Sequence, residues 1–154
     1  MVKILVISDS HGQKDYIDAL TNIPSYDYIF HLGDGVDRDL GTNIYNPNFK
    51  YVKGNCDEYY SDIPLTETIF LENIKIFLTH GFEYKVRHGM EILRKVAKDG
   101  NYNIVFYGHT HIQKFEVVDN VYYINPGALK NGNYSEVTLN KNEIIINNKN
   151  IKDL

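Results

Sequence analysis

Val2 to Ile7 is a dense, largely β-branched run of the kind that fills a strand buried on both faces, and it stops abruptly at Ser8-Asp9-Ser10-His11. Such a strand needs a covering layer on each side, which confines the chain to layered α/β architectures. Gln13 to Ile23 winds as a helix with Tyr16, Leu20 and Ile23 on one side; Pro24 closes it, and Tyr26 to Leu32 returns as a second buried strand. That is a βαβ opening. Phe49 to Val52 reads as a short third strand, and Thr66 to Leu71 with Lys75 to Thr79 as a hairpin across Glu72-Asn73. Val86, Met90, Leu93 and Ala97 make one helical stripe ending near Gly100, followed by a strand from about Asn103 to Tyr107. The last third reads as hairpins with turns at Asp119-Asn120 and Asn140 to Asn142, no later helix, and a frayed polar tail from Asn147 to Leu154.

No linker, repeat or low-complexity block interrupts this order, and 154 residues suit one domain, residues 1–154. The simplest architecture is a four-layer α/β/β/α sandwich of two mixed β-sheets flanked by helices. With 43% hydrophobic and 23% charged residues, the chain has the balance of a folded globular protein. The formal charge of -4 and the lack of a lysine or arginine run argue against long DNA or RNA as a partner. The single cysteine, Cys56, forms no internal disulfide, and the apolar stretch Ile4 to Ile7 is far too short for a signal-peptide core or a membrane span. A cytoplasmic protein is expected, with no membrane partner; nothing in the sequence decides between a monomer and a homodimer.

Chemistry is carried where the strands end, because loops after strand C-termini form the ligand crevice of an open α/β sheet. Asp9 and His11 follow the first strand, Asp34 the second, Asn55 the third, His80 the hairpin, and His109 with His111 the Tyr102 to Tyr107 strand. Taken singly, most have ordinary readings: Asp9 caps a turn, Asn55 is a turn residue, His80 is a hydrogen-bonded strand exit. His109-x-His111 is more specific, since two histidines at this spacing project to the same side of an extended segment and can address adjacent ions. Seven such residues at successive strand ends have no structural reason to be there, and together they point to metal. Imidazoles mixed with carboxylates favour manganese, iron, nickel or zinc over calcium or magnesium, with manganese expected first.

In this order, Asp9-x-His11, Gly33-Asp34, Gly54-Asn55-Cys56-Asp57, His80-Gly81 and Gly108-His109-Thr110-His111 resemble the calcineurin-like metallophosphoesterase superfamily, and the Asn125-Pro126-Gly127 loop resembles its small single-domain phosphodiesterase branch. The resemblance implies two divalent transition ions per chain: Asp9, His11, Asp34 and His111 around one, and Asp34 as the bridge with Asn55, His80 and His109 around the other. It implies catalytic roles for Asp34, Asn55 and His80 and substrate contacts for Asn55 and Cys56. The reaction it implies is hydrolysis of a small phosphodiester by in-line attack of a hydroxide shared between the ions.

Two positions depart from the family pattern. Cys56 stands where many members have the histidine that protonates the leaving group, which disfavours phosphomonoesters. Ala128 stands where the Asn-Pro-Gly loop often continues with serine. Asp57 reads either as a supporting residue that orients a histidine or holds a water, or equally as a turn cap, His31 as a core or supporting histidine, and His88 as solvated. Tyr59-Tyr60, near the Asn55 loop, are the one tyrosine pair to consider for substrate stacking, with core or surface packing the favoured reading. The rival readings are a metal-binding scaffold that acts through protein contacts, which the full set of seven ligand-type residues argues against, and a nuclease, which the missing basic groove argues against.

Overall fold

The computed structural model describes residues 1–58 and 62–154. Val2–Ile7 (β1), Lys14–Thr21 (α1), Tyr28–His31 (β2), Val36–Asp39 (α2) and Phe49–Tyr51 (β3) come first. They are followed by Thr66–Leu71 (β4), Ile74–Thr79 (β5), Glu91–Asp99 (α3), Ile104–Phe106 (β6), Lys114–Val118 (β7) and Val121–Asn125 (β8). Asn133–Asn140 (β9) and Glu143–Asn150 (β10) complete two five-stranded sheets, ordered β10-β9-β1-β2-β3 and β4-β5-β6-β8-β7. Each sheet is mixed. β1, β2 and β3 run parallel, as do β5, β6 and β8, while the flanking pairings are antiparallel.

Side-chain alternation along the strands builds the layers. Ile4 and Val6 of β1 face the second sheet and pack with Phe30, Ile76, Leu78, Ile104, Phe106 and Ile124. Leu5 and Ile7 face the other way, onto Ile17 and Leu20 of α1. On the far side, Phe77 and Val105 meet Leu93 and Ala97 of α3. The four-layer α/β/β/α sandwich follows from these three apolar clusters. Two hairpins close as expected, with Glu72-Asn73 and Asp119-Asn120 each at positive φ in both positions, the backbone of a type I′ turn.

Two expectations are corrected. The stripe from Val86 to Ala97 is not one helix: Val86–His88 is a separate 3₁₀ turn, and α3 begins at Glu91. Gly89, at φ 126° and ψ 170°, breaks the helical path between them. The tail is not frayed from Asn147. β10 pairs with β9 as far as Asn150 opposite Asn133, and Ile151–Asp153 adds a 3₁₀ turn. Ile144 and Ile146 lie against the inter-sheet core and hold the strand that the polar half continues.

Candidate metal centre

Parallel strands of both sheets end at one edge of the sandwich, and their exits carry the candidate ligands. Asp9, His11, Asp34, His109 and His111 all have φ between 43° and 70°. This left-handed backbone is unfavourable for residues with a Cβ, and it persists where surrounding structure enforces it, commonly at functional sites. Crossed hydrogen bonds supply the enforcement here: Asp9 N–H donates to the Gly33 carbonyl at 2.9 Å, and His11 N–H to the Asp34 carbonyl at 3.2 Å. Glycine is required where the loops touch. A Cβ on Gly54 would stand 2.1 Å from Asp34 Oδ1, and one on Gly33 would stand 2.6 Å from Gly54 N.

Six of the seven candidates form two triads. Asp9, His11 and His111 make one, and Asp34, His80 and His109 the other, with the potential ligand atoms of each triad within 4.8 Å of one another. In the first, His111 Nε2 lies 3.1 Å and His11 Nε2 3.6 Å from Asp9 Oδ1. In the second, His80 Nε2 lies 3.2 Å from Asp34 Oδ2 and 3.2 Å from His109 Nδ1. Asp34 Oδ2 is also 3.7 Å from His11 Nε2, so this carboxylate faces both triads. The seventh candidate, Asn55, is exposed and lines a cleft with His109; its Nδ2 points to Cys56 Sγ at 3.7 Å. Cys56 lies at the same place, its Sγ within 4.8 Å of ligand atoms of His11 and Asp34.

The supporting groups were mostly not foreseen. His80 Nδ1 is 2.8 Å from the Leu32 carbonyl, which requires a proton on Nδ1, so that in the neutral ring Nε2, on the Asp34 side, is the nitrogen free to bind a metal ion. Asp57 takes its turn-capping alternative, bonding to backbone amides. Its carboxylate accepts N–H bonds from Asp34 at 2.9 Å, Gly35 at 2.9 Å and Gly54 at 2.7 Å, clasping two ligand loops together. The Cys56 N–H donates to Asp34 Oδ1 at 2.8 Å and sets that carboxylate's orientation. Asp9 Oδ2 accepts from Ser8 Oγ at 2.6 Å and from the His109 N–H at 3.1 Å. Buried Asn125 donates to the Gly108 carbonyl at 3.3 Å and to Thr110 Oγ1 at 2.9 Å, holding the His109 to His111 loop.

His31 is fully buried and belongs to neither triad. Gly33 N–H donates to its Nδ1 at 3.1 Å, so Nε2 carries the proton toward Ser10 Oγ at 2.9 Å, and Ser10 in turn donates to Asp39 Oδ2 at 2.6 Å. Burial lowers its pKa to about 4. His88 is exposed, as expected. Tyr59 and Tyr60 lie outside the described residues.

Charge is concentrated in this edge. Burial works against ionisation of Asp9, but His11, His111, His80 and Ser8 outweigh it and hold the carboxyl well below the usual range. Asp34 is likewise lowered, chiefly by His80 against its own desolvation. His80 is raised by Asp34 and Asp9 despite burial, whereas His109 is lowered by burial and by the neighbouring His80 and Arg87. Burial and the Asp34 carboxylate raise the Cys56 thiol. Two buried carboxylates and two imidazoles whose nitrogens approach to 3.2 Å form a donor set that fits divalent transition ions.

The sequence profile of the calcineurin-like phosphoesterase superfamily domain matches residues 2–140. The chain belongs to that superfamily. Among the relatives of this phosphoesterase is a probable metallophosphoesterase of Mycoplasma pneumoniae, 32% identical over 84% of this chain and 80% of its own. Another is a phosphodiesterase of Methanocaldococcus jannaschii, 31% identical over 82% and 83%. In fold it superimposes on a predicted phosphoesterase of Streptococcus pneumoniae with TM-score 0.84 at 24% identity, covering 98% of this chain and 90% of that one. A zinc complex of Vps29 from Entamoeba histolytica gives TM-score 0.77 at 20% identity, covering 97% and 99%. Metal dependence is general for the family, and among the described residues no helix is long and apolar enough to cross a membrane.

Proposed function

We propose that this phosphoesterase is a dinuclear metal-dependent phosphodiesterase acting on small phosphodiesters. The observation that carries the reading is the pair of adjacent His/Asp triads, with Asp34 Oδ2 3.2 Å from His80 Nε2 and 3.7 Å from His11 Nε2, whereas Asp9 Oδ1 approaches His80 Nε2 only to 3.9 Å. Asp9, His11, Asp34 and His111 would hold one ion, and Asp34, Asn55, His80 and His109 the other. When bound, two divalent ions supply charge neutralisation at the phosphoryl oxygens and a nucleophile at neutral pH. The chain's own part is positioning. His80 is fixed in one tautomer by the Leu32 carbonyl, Asp34 is fixed by the Cys56 N–H, and the Asp57 clasp keeps the loops of Asp34 and Asn55 in register. Manganese is the proposed ion, on the mixed oxygen and imidazole set, and the cytoplasm the proposed location, on the single cysteine.

The preference for diesters rests on Cys56. A monoester dianion brings more charge and, when alkyl, a poorer leaving group, so it gains most from a cationic acid, and a thiol is a weak substitute for imidazole. A diester with an aryl leaving group needs less of that help. General acid catalysis is worth roughly 10²- to 10⁴-fold, so Cys56→His should raise monoester turnover far more than aryl diester turnover. The test is kcat/KM for matched aryl mono- and diesters, on metal-stripped protein reloaded with manganese, nickel, iron or zinc in turn. A parent that already favours the monoester would remove the diester assignment. A parent inactive in every loaded form would leave the scaffold reading in its place.

A further inference from the structure

Between His80 and α3 the chain makes two successive 3₁₀ turns, Phe82–Tyr84 and Val86–His88, with Lys85 in the left-handed region between them. Packing explains part of this segment. Val86 is buried in the cluster that covers Phe77 and Leu93, and Tyr84 sits against Phe77 with ring centroids 6.0 Å apart. Phe82 is not explained in this way. It is 51% exposed, and its ring stands at 86° to that of His109 with centroids 5.5 Å apart. Single exposed hydrophobics are common on a protein surface; what sets Phe82 apart is that its ring lies against a candidate metal ligand and lines the cleft beside it.

Beside it lies a cleft of about 740 Å³ lined by Asn55, Phe82, Glu83, Lys85, Arg87, His88 and His109. That volume is in the range of small-ligand sites. The cleft's wall combines two candidate metal-site residues, Asn55 and His109, with Phe82 and two cations. Lys85 and Arg87 outnumber the one carboxylate, Glu83, in a chain whose formal charge is -4. Arg87 is additionally tied to the centre, its Nη2 donating to the His109 carbonyl at 3.2 Å. An aromatic face together with a cationic wall, next to a centre for phosphoryl chemistry, matches the chemistry of a nucleotide: a base that stacks and a further phosphate that needs charge.

We propose that this cleft receives the non-departing arm of the phosphodiester, and that this arm is nucleotidyl, with its base stacked on Phe82 and a further phosphate held by Lys85 and Arg87. The proposal rests on the phosphodiesterase reading for its chemistry, while the binding surface can be tested separately. Methyl p-nitrophenyl phosphate and the p-nitrophenyl ester of thymidine 5′-phosphate share a leaving group and differ only in the other arm. In the manganese-loaded parent the thymidine ester should have the higher kcat/KM, through KM, by about fivefold or more, the effect expected of one stacked base. Phe82→Ala should bring the ratio of the two esters close to one, and Phe82→Tyr, which keeps a ring, should preserve it. Lys85→Asn, a change to a residue that tolerates the left-handed backbone, should weaken binding of thymidine 3′,5′-bisphosphate more than binding of thymidine. A parent with no preference between the esters, or a preference that survives in Phe82→Ala, would overturn the proposal. If neither ester is turned over, the phosphodiesterase reading fails, and the cleft is then judged by calorimetric binding of thymidine 3′,5′-bisphosphate alone. Weaker binding in Phe82→Ala by about fivefold or more would support the surface, and equal binding would overturn it.

Discussion

The two triads use the same residue types in different settings. Asp34, His80 and His109 are all buried, and His80 is pinned from behind by a backbone carbonyl. In the other triad Asp9 is buried, but the side chains of His11 and His111 are 28% and 25% exposed. A closed triad is preformed and pays for a lost member in stability as well as in metal; an open one loses metal alone. Asp34, reaching toward both, is where the difference should vanish.

The largest effect is expected there. Supporting residues around metal sites typically cost 10- to 100-fold when removed, so Asp34→Asn, which alters a carboxylate shared by both triads, should lower aryl diester turnover by about 100-fold or more. It should lose more than His11→Asn or His111→Asn assayed alongside it. Near-normal turnover would break the bridging assignment.

The loop under the open triad offers a pH test, because Ser10 and Gly33 flank the candidate ligands and both bond to His31. His31 is buried with a pKa of about 4 against an ordinary 6.5, so below pH 6.5 the unfolded chain binds the extra proton first. Its contribution is therefore complete above pH 6.5 and is lost as pH falls toward 4, up to about 3 kcal/mol at 1.36 kcal/mol per unit. Denaturant midpoints measured across that window should fall more steeply in the parent than in His31→Gln, which cannot titrate. Parallel slopes would show that His31 is not buried in its neutral form.

A smaller difference separates His80 from His11 in metal-free protein. His80→Ala strands the buried Leu32 carbonyl and should cost about 1–3 kcal/mol for that acceptor alone, with a cavity term added. His11→Asn, at a partly exposed position, should stay within about 0.5 kcal/mol of the parent. Equal losses in the two variants would erase the distinction between a closed and an open triad.

The layers and the ligand candidates were legible because each has a local signature. Val2–Ile7 and Ile74–Thr79 announce buried strands by composition, and each is followed by Asp or His where an α/β crevice forms. What sequence could not carry is what the residues do to one another across the fold. The left-handed backbone at Asp9, His11, Asp34, His109 and His111 depends on bonds between loops distant in sequence, such as Asp9 to Gly33. Asp57 serves the amides of Asp34, Gly35, Asp37 and Gly54, and the sequence shows only its turn-residue type because three of these lie twenty or more positions away. Phe82 was overlooked because an exposed phenylalanine in a turn has no periodic signature. Gly89 was passed over because the apolar spacing from Val86 to Ala97 mimics one helix across it.

Equilibrium dialysis of metal-stripped protein against manganese, with elemental analysis of both compartments, tests the central claim most directly, since it counts bound ions without requiring that they survive a column. The parent should saturate at two ions per chain and Asp34→Asn at no more than one. A parent that shows no bound manganese above the dialysate, and none when nickel, iron or zinc replaces it, would contradict the dinuclear account.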